Sequence, residues 1–174
     1  RYTVETIIKK GGKTIDKYLT PFGIRSVKFD KDKGFFLNNK HLKLKGMCLH
    51  QDAGCLGTAV PDRAYERRLL ILKEFGTNAI RCSHNPPSPE FLNYCDSIGF
   101  LVIDEAFDKW KSGYYEEFFD SSWQQDISDM VIRDRNHPSV ILWSIGNELA
   151  EAKLKDDTGI ERAGMLQDLS LIHI

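Results

Sequence analysis

From residue 44 onward, short apolar runs alternate with longer stretches whose apolar residues recur at helical spacing. The runs are rich in β-branched residues, which is typical of strands buried on both faces in a parallel sheet. Strands that alternate with helices of this length imply βαβ units and therefore an α/β fold. The predicted strands are residues 44–49, 78–82, 100–103 and 140–145, and the predicted helices are residues 62–75, 88–99 and 122–135.

The first 31 residues have a different pattern. Short β-like pieces at residues 2–8, 15–19 and 24–29 are separated by glycine and proline, which predicts antiparallel strands. Residues 34–44 predict a hairpin around the polar turn 38–40. We therefore expect the tail of a β-sandwich, then a hairpin, and then the parallel α/β region.

The composition indicates a chain with a sizeable core and no strongly charged partner. Of 174 residues, 41% are hydrophobic, and 24 basic residues nearly balance 25 acidic ones. This balance does not favour nucleic acid or an anionic membrane as a partner, and no run approaches the roughly 18 apolar residues of a membrane span. Four cysteines without C-x-x-C spacing predict buried free thiols rather than a zinc site or disulfides.

The most informative polar residues follow the last predicted strand. Asn147 and Glu148 come directly after residues 140–145 and Gly146. In barrels of parallel strands the chemistry lies at the carboxyl ends of the strands. A glutamate there suits the general acid of a glycosidase, which protonates the departing oxygen, while Asn147 could hydrogen-bond a sugar hydroxyl. The structural alternative is a solvated Asn-Glu pair at the end of a buried strand.

Polar residues also stand at the ends of the first two predicted strands. His50 and Asp52 follow the first strand, where they either line a pocket or cap the loop. Arg81 and His84 belong to the second, in the sequence R-C-S-H. Arg81 either holds a catalytic carboxylate ionised or forms a buried structural ion pair with a carboxylate. For His84 the alternative to a substrate contact is an ordinary loop histidine.

The third strand ends in two adjacent carboxylates. Asp104 and Glu105 project to opposite sides of a strand, so at most one of them faces the mouth of a barrel. We expect substrate contact or support of a polar network from this pair, not proton transfer. Trp110, in the loop that follows, either stacks on a sugar ring or packs in the core.

The stretch R-D-R-N-H-P-S-V-I-L-W-S-I-G-N-E, together with R-C-S-H and D-E-A, resembles glycoside hydrolase family 2, which includes β-galactosidases, β-glucuronidases and β-mannosidases. The resemblance implies the end of an immunoglobulin-like (Ig-like) sandwich at residues 1–31 and the first half of a (β/α)8 TIM barrel at residues 32–168. It further implies a retaining exo-β-glycosidase, β-galactosidase-like, with a carbohydrate substrate and, in the full-length protein, scope for a homo-oligomer.

The resemblance also suggests roles for individual residues. Glu148 is the acid/base, and the substrate-binding candidates are Asn147, His84, His50, Asp52, Arg81, Asp104, Glu105 and Trp110. No cofactor is implied. The galactosidase branch that binds magnesium has a Glu and a His two residues apart after D-E-A, whereas residues 107–110 read F-D-K-W, so no metal is carried over.

The nucleophile of this family lies on a later strand. Neither Glu151 nor Glu161 follows a predicted strand, so we expect the nucleophile outside this chain and the chain alone to be inactive. Residues 169–174 match the read-through of a sequencing adapter, and an ordinary apolar helix or strand is the alternative. The sequence leaves two other functions open: a non-catalytic carbohydrate-binding or degenerate barrel, and an unrelated α/β enzyme, which the lack of a glycine-rich phosphate loop disfavours.

Overall fold

The computed structural model describes residues 1–149 and 157–172, and the chain divides into two units. The smaller unit contains residues 1–43 and 136–138, and the larger contains residues 44–135 and the chain from residue 139 onward. Glu151 and His173 lie outside the described residues. No helix in the described part of the chain is long and apolar enough to cross a membrane.

The smaller unit consists of two antiparallel sheets. Strands β1 (Tyr2–Lys10) and β2 (Lys13–Phe22) form a hairpin, and β3 (Val27–Asp30), β4 (Gly34–Leu37) and β5 (Lys40–His41) form a second sheet in that order. Asn38 and Asn39 join β4 to β5 with φ of 50° and 63°, a left-handed pair that asparagine tolerates better than most residues. The predicted antiparallel strands and hairpin are confirmed.

The larger unit is a parallel sheet with helices between its strands. The strands β6 (Gly46–His50), β7 (Ala79–Ser83), β8 (Leu101–Glu105) and β9 (Val140–Ser144) pair in sequence order, all parallel. The helices are α1 (Asp62–Glu74), α2 (Pro89–Ile98), α3 (Glu116–Asp134) and α4 (Asp157–Ile172). The predicted alternation of strands and helices is therefore confirmed, and residues 169–172 belong to α4.

Local sequence signals explain both ends of α2, whereas the starts of α1 and α3 differ from the predictions. Ser88 caps α2 by accepting a hydrogen bond from the Phe91 amide at 3.2 Å, and Gly99 ends it in the left-handed conformation. Asp62 is the first residue of α1 rather than its cap, where its carboxylate suits the helix dipole. Helix α3 begins at Glu116, six residues before the predicted start at residue 122, because the fully buried Phe119 extends its apolar side.

The two faces of the parallel sheet have different environments. Ile80, Cys82 and Val102 pack with residues of α1 and α2 in one hydrophobic core. Because side chains alternate along a strand, Arg81 and Glu105 lie on the opposite face, which we call the inner face. A second hydrophobic cluster surrounds α3 and contains Phe107, Trp110, Phe119, Ile127, Met130, Val131 and Leu166.

The four cysteines differ in their exposure to solvent. Cys82 and Cys95 are buried as expected, and burial raises the pKa of both thiols. Cys48 and Cys55 are exposed, so the expectation of burial is wrong for them. Cys48 lies on β6 in register with Arg81, on the inner face.

Candidate active site

The centre of the inner face is an ion pair between neighbouring strands. Nε of Arg81 donates to Oε2 of Glu105 at 3.0 Å, and Nη2 donates to Oε1 at 3.0 Å and Oε2 at 2.8 Å. Glu105 is fully buried, whereas the Arg81 side chain is one-third exposed. The hydrogen bonds from Arg81 to Glu105 raise the pKa of Arg81. Arg81 therefore forms the structural ion pair with a carboxylate that the sequence analysis gave as one of its two possible roles.

Two further side chains converge on Glu105. The Ser144 hydroxyl, at the end of β9, donates to Oε2 at 2.7 Å, and Nδ1 of His84 lies 2.6 Å from Oε1. An ionised carboxylate only accepts hydrogen bonds, so Nδ1 of His84 is the donor and Nε2 is left for another partner. The His50 ring meets the His84 ring edge-on, with centroids 5.2 Å apart. Glu105 thus orients one of the predicted sugar-binding histidines.

Asn147 extends this network toward the end of β9. Its Oδ1 accepts from Nη2 of Arg81 at 3.0 Å, and its Nδ2 donates to Oδ1 of Asp108 at 2.9 Å. The backbone amide of Asn147 also donates to the Asp108 carbonyl at 2.7 Å. The hydrogen bond from Asn147 is the main cause that lowers the pKa of Asp108. Both ends of the Asn147 amide are therefore fixed in direction.

Glu148 stands at the exposed end of the network. Its side chain is 69% exposed, and its Oε2 lies 3.4 Å from Nζ of Lys109. Nζ of Lys109 also lies 3.0 Å from Oδ1 of Asp108. Glu148 is therefore a carboxylate that a molecule bound beside the polar network could contact.

An open cavity of about 600 Å³ adjoins this network. His84, Asp108 and Lys109 line the cavity on the side of the strand ends, and Tyr115 and Met130 line it on the side of α3. The described residues contain no cluster of three His, Cys, Asp or Glu side chains that could hold a metal ion.

Asp104 is placed away from the network, which corrects its prediction as a substrate contact. Its side chain is fully buried on the helix-facing side of β8, because it lies two residues from Val102. Its neighbour there is Asp134 of α3, and a sugar at the inner face could not reach it.

Trp110 is also corrected. Its indole is fully buried in the cluster around α3, where its ring centroid lies 5.9 Å from that of Phe119. Its Nε1 donates to the Ile145 carbonyl at 2.8 Å, which ties the loop after β8 to the end of β9. The packing role, not stacking on a sugar, is the one that the structure supports.

Asp52 takes the loop-capping role that the sequence left open. Its Oδ1 accepts from the Gly54 amide at 3.1 Å, and its carbonyl accepts from Arg68 at 2.9 Å. It closes the loop that follows β6, and none of its hydrogen bonds reaches the residues around Glu105.

Three residues of the network were not predicted as site residues: Ser144, Asp108 and Lys109. Ser144 is the last residue of β9, so its position at a strand end was a usable signal. Asp108 and Lys109 are ordinary charged loop residues in sequence, and only their contacts with Asn147 and Glu148 distinguish them.

The chain belongs to glycoside hydrolase family 2. The family described as "Glycosyl hydrolases family 2, TIM barrel domain" matches residues 27–158, which is most of the chain. The predicted family and the α/β TIM-barrel fragment are thereby confirmed.

Curated relatives support the assignment to this family. The chain is 49% identical to a β-galactosidase of Bacteroides ovatus over 95% of its length and 44% identical to a putative β-glucuronidase of Formosa agariphila over 84%. It covers 20% and 15% of these relatives, so it spans about a fifth of their length or less.

Two structures illustrate the likeness in fold. A family 2 member from Bacteroides cellulosilyticus superposes with a TM-score of 0.92 at 44% identity, over 99% of this chain and 22% of that one. A β-glucuronidase from Ruminococcus gnavus, in complex with C6-substituted uronic isofagomine, superposes with a TM-score of 0.86 at 30% identity, over 99% of this chain and 30% of that one.

Proposed function

We propose that the protein to which this chain belongs is a retaining exo-β-glycosidase, β-galactosidase-like, that removes terminal β-linked sugars. The observation that carries the proposal is Glu148, an exposed carboxylate at the end of β9 beside an Asn147 fixed by Arg81 and Asp108. Membership in a glycoside hydrolase family supports it, as do relatives named β-galactosidase and β-glucuronidase.

In this mechanism Glu148 gives its proton to the glycosidic oxygen as the bond from that oxygen to the sugar breaks. A second carboxylate, supplied by a part of the protein outside this chain, forms the covalent bond to the sugar from a position about 5–5.5 Å away. Glu148, now ionised, removes a proton from water, and the resulting hydroxide displaces the enzyme carboxylate and releases the sugar.

The remaining residues of the network bind and orient the sugar. Asn147, His84 and His50 are the proposed direct contacts, because their polar atoms lie at the strand ends of the inner face. Arg81 and Glu105 hold Asn147 and His84 in place through the hydrogen bonds described above. Arg81, at one-third exposure, also remains the proposed partner of the absent nucleophile.

We also propose domain limits, with a boundary at residue 31 that lies before the division of the two units at residue 43. Residues 1–31 are proposed as the C-terminal part of an Ig-like sandwich, and residues 32–168 as the first half of the TIM barrel. The antiparallel pairing of β1 and β2 supports the first assignment, as does the exposure of apolar side chains such as Val4 and Ile15, which a complete sandwich would cover. Residues 169–174 stay assigned to adapter read-through as a prediction.

A β-glucuronidase of the same family is the second candidate. Relatives of that name match the chain at 44% and 35% identity, below the 49% of the β-galactosidase. The non-catalytic carbohydrate-binding alternative is not favoured, because the named relatives are hydrolases.

The test uses the protein encoded by the complete gene. We would assay wild type and Glu148→Gln on a panel of nitrophenyl β-glycosides, with Glu117→Gln, an exposed glutamate of α3, as the matched control. Loss of the general acid should lower kcat/KM about 10²- to 10⁴-fold on the preferred sugar and leave the control unchanged. Wild-type rates in Glu148→Gln, or no turnover of any glycoside by the wild type, would contradict the proposal. The preferred sugar decides between galactosidase and glucuronidase.

A further inference from the structure

Asp108 and Lys109, in the loop after β8, have no part in the mechanism above, yet both contact the residues that carry it. We propose that these two are positioning residues, which hold Asn147 and Glu148 in the orientation needed for proton transfer to the leaving group. This inference rests on the proposed function of Glu148 and adds to it the device that orients its carboxylate.

Asp108 contacts Asn147 twice, through its backbone and through its side chain. The Asp108 carbonyl accepts from the Asn147 backbone amide at 2.7 Å, and the Asp108 carboxylate accepts from the Asn147 side chain at 2.9 Å. Arg81 holds the other end of the same side-chain amide at 3.0 Å. Residue 147 is therefore fixed through both its backbone and its side chain, immediately before Glu148.

The backbone of Glu148 has an unusual conformation. Its φ is 47°, in the left-handed region that disfavours residues with a Cβ. Such a conformation persists when the surrounding contacts over-determine it, and it is found most often at functional sites. The two hydrogen bonds from Asn147 to Asp108 are the contacts next to this position that can hold the chain there.

Lys109 forms an ion pair with Glu148. Nζ of Lys109 lies 3.4 Å from Glu148 Oε2 and 3.0 Å from Asp108 Oδ1, so the ammonium group bridges the two carboxylates. It is the one basic group within ion-pair distance of Glu148 among residues 1–149 and 157–172. Because the Glu148 side chain is largely exposed, this weak ion pair is the charge contact through which Lys109 would favour one orientation of the carboxylate.

An experiment on Asp108 and Lys109 must distinguish an effect on substrate binding from an effect on proton transfer. Both residues line the cavity of about 600 Å³, so a substitution there could also change how a substrate binds. A positioning defect should instead fall on the proton transfer. Substrates whose leaving groups do not need a proton should therefore be spared.

The experiment measures kcat and KM for Asp108→Ala, Asp108→Asn and Lys109→Met in the full-length protein. The substrates are aryl β-glycosides of the preferred sugar, from dinitrophenyl, which leaves without protonation, to phenyl, which requires it. We expect Asp108→Ala to lower kcat/KM about tenfold on the phenyl glycoside with little change on the dinitrophenyl glycoside. Lys109→Met should lower it about threefold with the same selectivity.

Two comparisons make the result specific. Asp108→Asn keeps an oxygen that can accept from Asn147, so it should recover part of the loss of Asp108→Ala. Lys111→Met removes another loop lysine that pairs with an aspartate, Asp120, and should behave like the wild type. Glu148→Gln, which removes the proposed general acid itself, should show the largest difference between the loss of kcat/KM on the phenyl glycoside and that on the dinitrophenyl glycoside.

Equal losses on all leaving groups would overturn the inference, because they would indicate a general structural defect. Wild-type kinetics in both Asp108→Ala and Lys109→Met would overturn it as well. If Glu148→Gln collapses while these variants do not, only the positioning role fails. If Glu148→Gln is fully active on the phenyl glycoside, the proposed function fails with it.

Discussion

The two faces of strand β8 carry adjacent carboxylates in opposite situations. Glu105, on the inner face, is fully buried and is held by Arg81, His84 and Ser144. Asp104, on the helix-facing side, is equally buried, but its neighbour there is a second carboxyl group, that of Asp134. The same burial therefore demands a paired charge on one face and a neutral acid on the other.

The surroundings of Asp104 explain how it stays neutral. Burial, then the charge of Asp134 and a hydrogen bond with it, raises the pKa of Asp104 to about 9. Arg133 donates to both oxygens of Asp134, at 2.7 and 2.6 Å, so the only nearby guanidinium among the described residues is directed at Asp134 rather than at Asp104. The Cys82 thiol also lies near this pair, and burial raises its pKa as well. The comparison teaches that partners, not residue type, decide the charge of a buried carboxyl group.

Removing the carboxylate of Glu105, which is paired with Arg81, should have the largest effect on stability. Glu105→Ala leaves Arg81 without its partner and His84 without its acceptor, which should destabilise the full-length protein by about 3–5 kcal/mol. The fall in the midpoint of thermal unfolding measures this effect. An unchanged midpoint would mean that the ion pair adds nothing to stability and that the two faces do not differ as described.

Weakening the ion pair should cost less. Arg81→Lys keeps the positive charge but loses the fork of donors that reaches both oxygens of Glu105 and Oδ1 of Asn147, for an expected loss of about 2 kcal/mol. Kinetics give a second measurement, since Asn147 also loses its donor. Lys73→Arg, the reverse exchange at the exposed end of α1, is the control. A stability equal to the wild type would show that charge alone suffices.

Neutralising the other carboxylate should have a pH-dependent effect. Since the pKa of Asp104 is raised in the fold, the folded state binds more protons than the unfolded state between about pH 4 and pH 9, so stability falls as pH rises through this window. Asp104→Asn should abolish that slope, so its stability advantage over the wild type should grow with pH between about pH 5 and pH 9, by up to about 1.4 kcal/mol per pH unit. Thermal unfolding at several pH values measures the difference. Parallel curves would refute the neutral state of Asp104.

The smallest expected effect is at Ser144. Ser144→Ala removes one of the donors to Glu105 and leaves Arg81 and His84 in place, so a loss of about 1 kcal/mol is expected. The fall in unfolding midpoint should therefore be a fraction of that in Glu105→Ala. A loss as large as that of Glu105→Ala would mean that the hydroxyl, not the guanidinium, dominates the site.

Much of the fold followed from local patterns. Strand and helix periodicity located all four parallel strands, and the signals at Ser88 and Gly99 located the ends of α2, because caps and turns depend on neighbouring residues. Period-2 alternation also implied that Asp104 and Glu105 face opposite ways. The motifs around Arg81 and Glu148 were specific enough to indicate the family, which the comparisons confirm.

The tertiary structure decided which of the alternatives at each site residue applies. The pairing of β7 with β8, and the packing of Val102 against the helices, determined that Glu105 rather than Asp104 joins the network. The burial of Trp110 and the contacts of Asp108 with Asn147 depend on residues 35 to 39 positions apart in sequence. Local patterns encode which face a side chain takes, whereas the partners that it meets there are set by how distant segments pack.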